Sequence, residues 1–325
     1  MGNDALKSNP PNATYNLSTH GSDWLWAVFS IFALSLLIVA AWTFTRPRGT
    51  RLFHQIALVV LTTGAISYFS MASDLGATPI PVEFRGDGTR QIWYVRYIQW
   101  FISLPLLILM LLLATGVTLS DIFTTIFMAL VLVVTGLVAA LVPSTYKWGY
   151  YTFGLFALFY IWSVLLHHGP RTTFATGPTF KPGYSLGAGY LSFLLMLYPL
   201  AWALSEGANV ITVTSEMIWF GILDILAGPL FLFYFLWKLR GVDYAAFGLQ
   251  SGKYTYAGTA VTNAEKRAMG GTGTSATVVG PGAPATTGYT ATNGAAATNG
   301  AATTNGVAAT DHVAPTVAPS PSGGV

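Results

Sequence analysis

The residues of this chain that could do chemistry are ionisable side chains set inside long apolar runs. Asp224 stands near the middle of WFGILDILAGPLFLFYFLWKLRG, a run about long enough to cross a bilayer. Arg96 stands near the start of a second run, YVRYIQWFISLPLLILM. A charged residue at the centre of a span costs about 2.5–3.5 kcal/mol, so it requires a partner or water. We therefore predict that Arg96 and Asp224 form a buried ion pair, with an Arg96 side chain that extends to the membrane surface as the alternative.

The remaining reactive side chains do not form a recognisable catalytic or metal-binding pattern. The chain has no cysteine, which excludes disulfides and thiolate chemistry, and its five histidines lack metal-ligand spacing. The sequence contains no nucleophile and base at recognisable spacing and no phosphate-binding loop that leads into a helix. We expect neither an enzyme nor a metal site, and no nucleic-acid partner.

The elements that position these side chains are membrane spans. Hydrophobic residues make up 53% of the 325 residues, charged residues only 8%, and the mean hydropathy is +0.56, which is typical of a membrane protein. Because a helical span needs roughly 20 apolar residues, the sequence predicts an all-α protein, a bundle of seven transmembrane helices with a short hairpin between spans two and three. The predicted spans are 23–45, 52–73, 91–114, 121–142, 147–167, 187–205 and 211–238.

Basic residues predict the orientation of the bundle. They concentrate in the connections after spans one and five and after span seven, and basic residues accumulate on the cytoplasmic side. The N-terminus is therefore predicted outside and the C-terminus in the cytoplasm, without a removable signal peptide. Two glycosylation motifs, at Asn12 and Asn16, fall in the predicted outer tail.

Composition divides the chain into four regions. Residues 1–22 are predicted to be an extracellular tail, and residues 23–240 the seven-helix domain. Residues 241–257 are aromatic with basic ends, which favours the membrane surface. Residues 258–325 contain mostly Ala, Gly, Thr, Asn and Pro, a composition that cannot bury enough apolar surface to fold, so this region is predicted to be a disordered cytoplasmic tail.

Residues 20–245 resemble the microbial rhodopsin family. RYIQWFISLPLLILM in span three, YPLAW in span six and ILDILAG in span seven occur in the family's order. The resemblance implies that Tyr68 and Tyr198 flank Asp224. It also implies that Trp100, Tyr151 and Trp202 line the space that retinal occupies in relatives. Glu206 and Glu216 resemble the outer glutamates of some pumps, but we interpret both as solvated loop residues.

The departures from the family pattern concern the chromophore and the proton path. The family's retinal lysine lies four residues after the span-seven aspartate, and here that position is Gly228. The positions of the proton acceptor and donor are Gln99 and Met110, which cannot shuttle a proton as a carboxylate does. We expect no covalent retinal and no other cofactor. We also expect neighbouring side chains to fill the vacated space, with non-covalent binding of an apolar ligand as the alternative.

This combination is similar to the fungal opsin-related proteins, a group without the retinal lysine that includes the thirty-kilodalton heat-shock protein of yeast. The resemblance implies a stress-associated, multi-pass protein of the plasma membrane. It implies action through a membrane partner such as the proton-pumping ATPase, with a homo-oligomer also compatible. Passive conduction of ions or protons along Arg96, Asp224 and the outer glutamates is a further alternative.

Overall fold

The structure is a computed structural model that describes residues 3–47, 50–172, 174, 180–240 and 242. Its described part is a bundle of seven long apolar helices, as the sequence predicts. Apart from Val242, the predicted juxtamembrane segment 241–257 and tail 258–325 lie outside the described residues. The helices are Thr19–Phe44, Leu52–Ala72, Tyr94–Leu113, Leu119–Leu141, Lys147–Arg171, Lys181–Gly207 and Val213–Lys238.

Helix starts follow local capping chemistry. Ser18, Thr118 and Thr212 precede the first, fourth and seventh spans, and each side chain accepts a hydrogen bond from a backbone N–H of the first turn. The first span begins at Thr19 and the sixth at Lys181, four and six residues earlier than predicted. Helices continue beyond the apolar core because their polar ends lie in the interfacial region.

The outer end of the bundle, named after the predicted orientation, carries an antiparallel hairpin of β1 (Thr78–Pro81) and β2 (Thr89–Ile92). The predicted hairpin is therefore present. In the loop between the two strands, Gly86 and Gly88 adopt positive φ angles, which glycine tolerates because it has no Cβ. The N-terminal segment packs along β2: the Tyr15 N–H donates to the Thr89 carbonyl at 2.9 Å, and the Gln91 N–H donates to the Tyr15 carbonyl at 3.0 Å.

Consecutive spans pack against one another, and the first span also contacts the seventh, which closes the bundle. Large apolar side chains remain exposed on its outside, such as Leu37, Phe123 and Phe156, as expected where lipid replaces water. Three spans contain one π-helical turn each: Ser163–His168, Ala203–Gly207 and Leu226–Leu230. The last of these carries Gly228 and Pro229 into the bundle interior.

Candidate functional site

Asp224 lies in the bundle interior, where four side chains donate hydrogen bonds to its carboxylate. The Tyr198 hydroxyl and the Trp100 indole N–H donate to Oδ1, at 2.6 and 3.1 Å. The Tyr68 hydroxyl and the Gln99 amide donate to Oδ2, at 2.7 and 3.2 Å. These donors come from the second, third and sixth spans, so the site exists only in the assembled bundle. These four donors take the place of water around the buried carboxylate.

Arg96 does not form the predicted ion pair with Asp224. Its Nη2 lies 2.5 Å from Oε1 of Glu216 and 3.6 Å from Oε1 of Glu206. The Arg96 side chain is 1% exposed, so the alternative of a surface-extended side chain is wrong as well. Arg96 instead points from the third span toward the two outer carboxylates.

Glu206 and Glu216 are buried, contrary to the interpretation as solvated loop residues. Glu216 lies in the first turn of the seventh span and accepts a hydrogen bond from each of two arginines, Arg96 at 2.5 Å and Arg90 at 2.6 Å. The Tyr97 hydroxyl donates to Glu206. We call these five residues the outer cluster.

Sequence reasoning missed two members of the outer cluster, Arg90 and Tyr97. In the sequence, Arg90 is only one of the few basic residues of the outer loops, yet it is 2% exposed. It also donates to the Asn209 side chain at 2.6 Å and to the Ile211 carbonyl at 2.9 Å. The sequence did contain a signal. Glu206, Glu216 and Asp224 are three carboxylates, whereas Arg96 is a single cation, and burial of an unpaired charge is costly, so a second buried cation could have been expected.

Gln91 of β2 links the hairpin to Asp74 and to the N-terminal segment. The Gln91 amide donates to Asp74 at 2.5 Å, and the Gln91 side-chain oxygen accepts from the Leu17 N–H at 2.9 Å. Burial raises the pKa of the Asp74 carboxyl above its ordinary value, and the hydrogen bond from Gln91 opposes that shift. The outer end is therefore held by hydrogen bonds between the N-terminal segment, the hairpin and the cluster.

Side chains from all seven spans line a largely apolar cavity beside Asp224. The cavity has a volume of about 100 Å³. Trp100, Tyr151 and Trp202 line it, with the last two rings stacked at a centroid distance of 5.1 Å. Neighbouring side chains fill part of this space, as expected, because a Cβ at Gly228 would lie 3.1 Å from the Phe32 ring. The filling is incomplete, because a cavity remains.

The residues around the cavity do not fit a covalently bound retinal. Gly228 lines the cavity and has no amine, and none of the described lysines is among the lining residues. Lys147 lies 3.5 Å from Glu83 at the outer end, and Lys238 lies over the rings of the last turn of the seventh span. A Schiff base requires an amine, so the lining residues offer retinal no point of attachment.

The positions that the resemblance assigns to proton acceptor and donor are buried. Gln99 donates to Asp224, and Met110 lies in the inner half of the third span. An amide and a thioether neither take nor supply a proton at neutral pH. At the outer surface, the side chains of Asn12 and Asn16 are both exposed, and the Asn16 amide donates to the Ala13 carbonyl at 2.9 Å.

Comparison with known proteins gives concordant matches. A family model described as a bacteriorhodopsin-like protein matches residues 18–240. Protein FDD123 of Trametes versicolor is 78% identical over 255 residues, which cover 78% of this chain and 90% of that protein. The 30 kDa heat shock protein of Saccharomyces cerevisiae is 32% identical over 261 residues, covering 72% and 77%. The solved structure of a light-driven proton pump, Coccomyxa subellipsoidea rhodopsin, matches with a TM-score of 0.66 and 32% identity, covering 69% of this chain and 98% of that one.

Proposed function

We propose, because this chain belongs to the bacteriorhodopsin-like family, that it uses the family's bundle to bind an apolar ligand without a covalent bond. It is a multi-pass membrane protein related to the fungal opsin-related proteins, and we place it in the plasma membrane. The observation that carries the proposal is the cavity beside Gly228. Because glycine has no amine, a ligand in this cavity could not form a Schiff base at that position. We propose no enzymatic reaction and no light-driven pumping.

The side chains around Asp224 support a function other than proton transfer. Gln99 stands where the resemblance places the proton acceptor, and its amide donates to Asp224 instead. Arg96 is held by Glu216 and Glu206. Arg96 is thus paired with outer carboxylates, and the position of the proton acceptor carries an amide that cannot take a proton as a carboxylate does.

The lining of the cavity supports an apolar ligand. Pockets for small molecules are mostly apolar and aromatic, with a few polar groups that fix the orientation. Here the stacked rings of Tyr151 and Trp202 form one wall, and Asp224 with its hydrogen-bond donors lies at another. The apolar wall would contact the body of the ligand, and the polar wall would orient it.

Equilibrium binding tests the proposal. The full chain, purified in detergent, is titrated with retinoids and sterols while tryptophan fluorescence is recorded. The variant Gly228→Trp places an indole in the cavity, and we expect binding to weaken roughly tenfold or more. Gly189→Trp is the matched control, because nothing lies within 4 Å of a Cβ at that helical position. Equal binding by the wild type and Gly228→Trp would contradict the proposal.

Added retinal tests the absence of a covalent bond. We expect no red-shifted, light-bleachable absorption band and no retinyl adduct in the intact mass after borohydride reduction. A retinyl adduct on any residue would overturn this part of the proposal.

A second candidate is a stress-associated role through a membrane partner. Its support is the similarity to a protein named 30 kDa heat shock protein, over 72% of this chain. A proton-pumping ATPase or a second copy of this chain is the partner class that we propose. Crosslinking in stressed and unstressed cells, followed by co-purification, tests this role. Recovery of no membrane partner under stress would count against it.

Passive conduction receives less support from the geometry. A conducting path requires polar groups along its length. The outer cluster binds its charges in ion pairs, and the inner half of the third span consists of apolar side chains around Met110. Currents across planar bilayers that disappear in Asp224→Asn would favour this alternative over ligand binding.

A further inference from the structure

Gln99 and Ser103 each bring a buried polar atom without a hydrogen-bond partner to the cavity. Both residues line it, and they are 3% and 6% exposed. Neither Oε1 of Gln99 nor Oγ of Ser103 has a hydrogen-bond partner among the described residues. Because burial of a polar group without a hydrogen-bond partner is unfavourable, two such atoms on one cavity wall point to a polar group on the ligand.

The orientation of the Gln99 amide follows from its neighbour. The amide nitrogen of Gln99 donates a hydrogen bond to Oδ2 of Asp224 at 3.2 Å. The amide oxygen is consequently turned away from Asp224 and left as an acceptor. Asp224 already has four donors, so the polar wall does not require a cation from the ligand.

Ser103 differs from three other serines of the spans, although Ser192 shares its lack of a partner. Ser30, Ser70 and Ser205 each donate to the backbone carbonyl four residues earlier, at 2.8–3.0 Å. Ser103 makes no such bond. It follows Gln99 by four residues and so lies on the same face of the helix, one turn further into the bundle.

We propose, building on the ligand-binding function above, that the ligand ends in a hydroxyl group that binds Gln99 and Ser103. A hydroxyl donates one hydrogen bond and accepts others. It can donate to Oε1 of Gln99 while it accepts from the hydroxyl of Ser103. An aldehyde, ester or ether cannot donate, and a hydrocarbon can do neither, so each leaves Gln99 unsatisfied.

The shared chemistry is that of an apolar alcohol, and it has two membrane sources. The chain of a linear isoprenoid alcohol would lie along the cavity and contact Tyr151 and Trp202. A sterol would place its fused rings against the same aromatic wall. Both carry one hydroxyl at the end of an apolar body, so the binding experiment includes a probe of each kind.

The experiment compares probes that differ only at the polar end. Binding of all-trans-retinol, retinal and retinyl methyl ether to the full chain is measured by fluorescence titration, and ergosterol is compared with its methyl ether. We expect the alcohol to bind at least about tenfold more tightly than the aldehyde or ether of the same scaffold. The aldehyde controls for size, because it is no bulkier than the alcohol.

Two serine variants locate the contact. Ser103→Ala should remove most of the preference for the alcohol. Ser192→Ala should keep it, because Ser192 is equally buried and also lacks a hydrogen-bond partner but does not line the cavity. Thermal unfolding of each variant is measured to confirm that it is folded.

The outcomes separate this inference from the proposed function. Binding that is lost in Gly228→Trp but is equal for alcohol, aldehyde and ether would leave the ligand-binding function intact and overturn the hydroxyl contact. An alcohol preference unchanged in Ser103→Ala would also overturn it. Binding that is insensitive to Gly228→Trp would overturn both. A preference confined to retinol or to ergosterol would identify the source.

Discussion

Glu216 holds two buried guanidinium groups, and this is the residue on which the outer cluster depends. Replacing it by glutamine keeps the shape but leaves Arg90 and Arg96 without a full counter-charge. We expect Glu216→Gln to lower the free energy of unfolding by about 3–5 kcal/mol, since breaking a buried pair leaves an uncompensated charge. The thermal unfolding midpoint in detergent measures the effect.

The matched control is the exposed ion pair between Asp4 and Lys7, at 3.0 Å. Solvent screens such pairs, so Asp4→Asn should leave the midpoint unchanged. Equal midpoints for Glu216→Gln and the wild type would mean that the outer cluster contributes nothing to stability.

Gly228 and Gln99 together determine what a restored lysine could do. In Gly228→Lys, the Phe32 ring crowds the new Cβ, so Phe32→Ala is combined with it to provide space. Even when such a variant binds retinal, we expect no light-driven acidification, because Gln99 cannot accept a proton. Measurement of pH in illuminated vesicles tests this, and Gln99→Asp added to the same background supplies the acceptor. Pumping with Gln99 still in place would contradict the prediction.

At the scale of elements, the π-helical turn Leu226–Leu230 shows how a proline is accommodated inside a span. Pro229 has no N–H to donate, and the helix widens there, so that the Phe231 N–H reaches the Leu226 carbonyl five residues earlier. The Tyr190 hydroxyl donates to the same carbonyl at 3.2 Å. The widened turn brings Gly228 to the cavity wall.

The N-terminal segment pairs with β2 through one isolated β-bridge between Tyr15 and Arg90, and the contribution of this bridge can be measured. Tyr15→Pro removes the N–H that donates to Thr89, while Tyr15→Ala keeps the backbone bonds and loses only the ring. We expect the Gln91 amide to exchange hydrogen roughly tenfold faster in the proline variant. Hydrogen exchange with mass spectrometry compares the two. Exchange that is no faster in the proline variant than in Tyr15→Ala would contradict a role of the Tyr15 N–H in protecting the hairpin.

At the scale of the whole molecule, the distribution of basic residues predicts the orientation. We expect an epitope at the C-terminus to be digested by protease only in permeabilised cells, because basic loops remain cytoplasmic. An epitope at the N-terminus should be accessible in intact cells. Asn12→Gln with Asn16→Gln should abolish any mass shift that a glycosidase removes. Cleavage of the C-terminal epitope in intact cells would contradict the predicted orientation.

The sequence alone determined the number of spans and their approximate bounds, the hairpin, and the absence of an amine at Gly228. These features depend on local properties: a run of about 20 apolar residues forms a span wherever it occurs, and a side chain that is missing from the sequence is missing from the fold. The order of the motifs was sufficient to predict that Tyr68 and Tyr198 lie beside Asp224, because the family resemblance implies that arrangement. Both hydroxyl groups donate to its carboxylate.

Only the tertiary structure decided which charges meet and whether the bundle interior is filled. Arg96 lies within reach of carboxylates from different spans, and sequence spacing does not tell which one faces it. Glu216 binds it, helped by Arg90 from the hairpin. The cavity likewise results from the packing of all seven spans, since the space between helices depends on how their faces fit together.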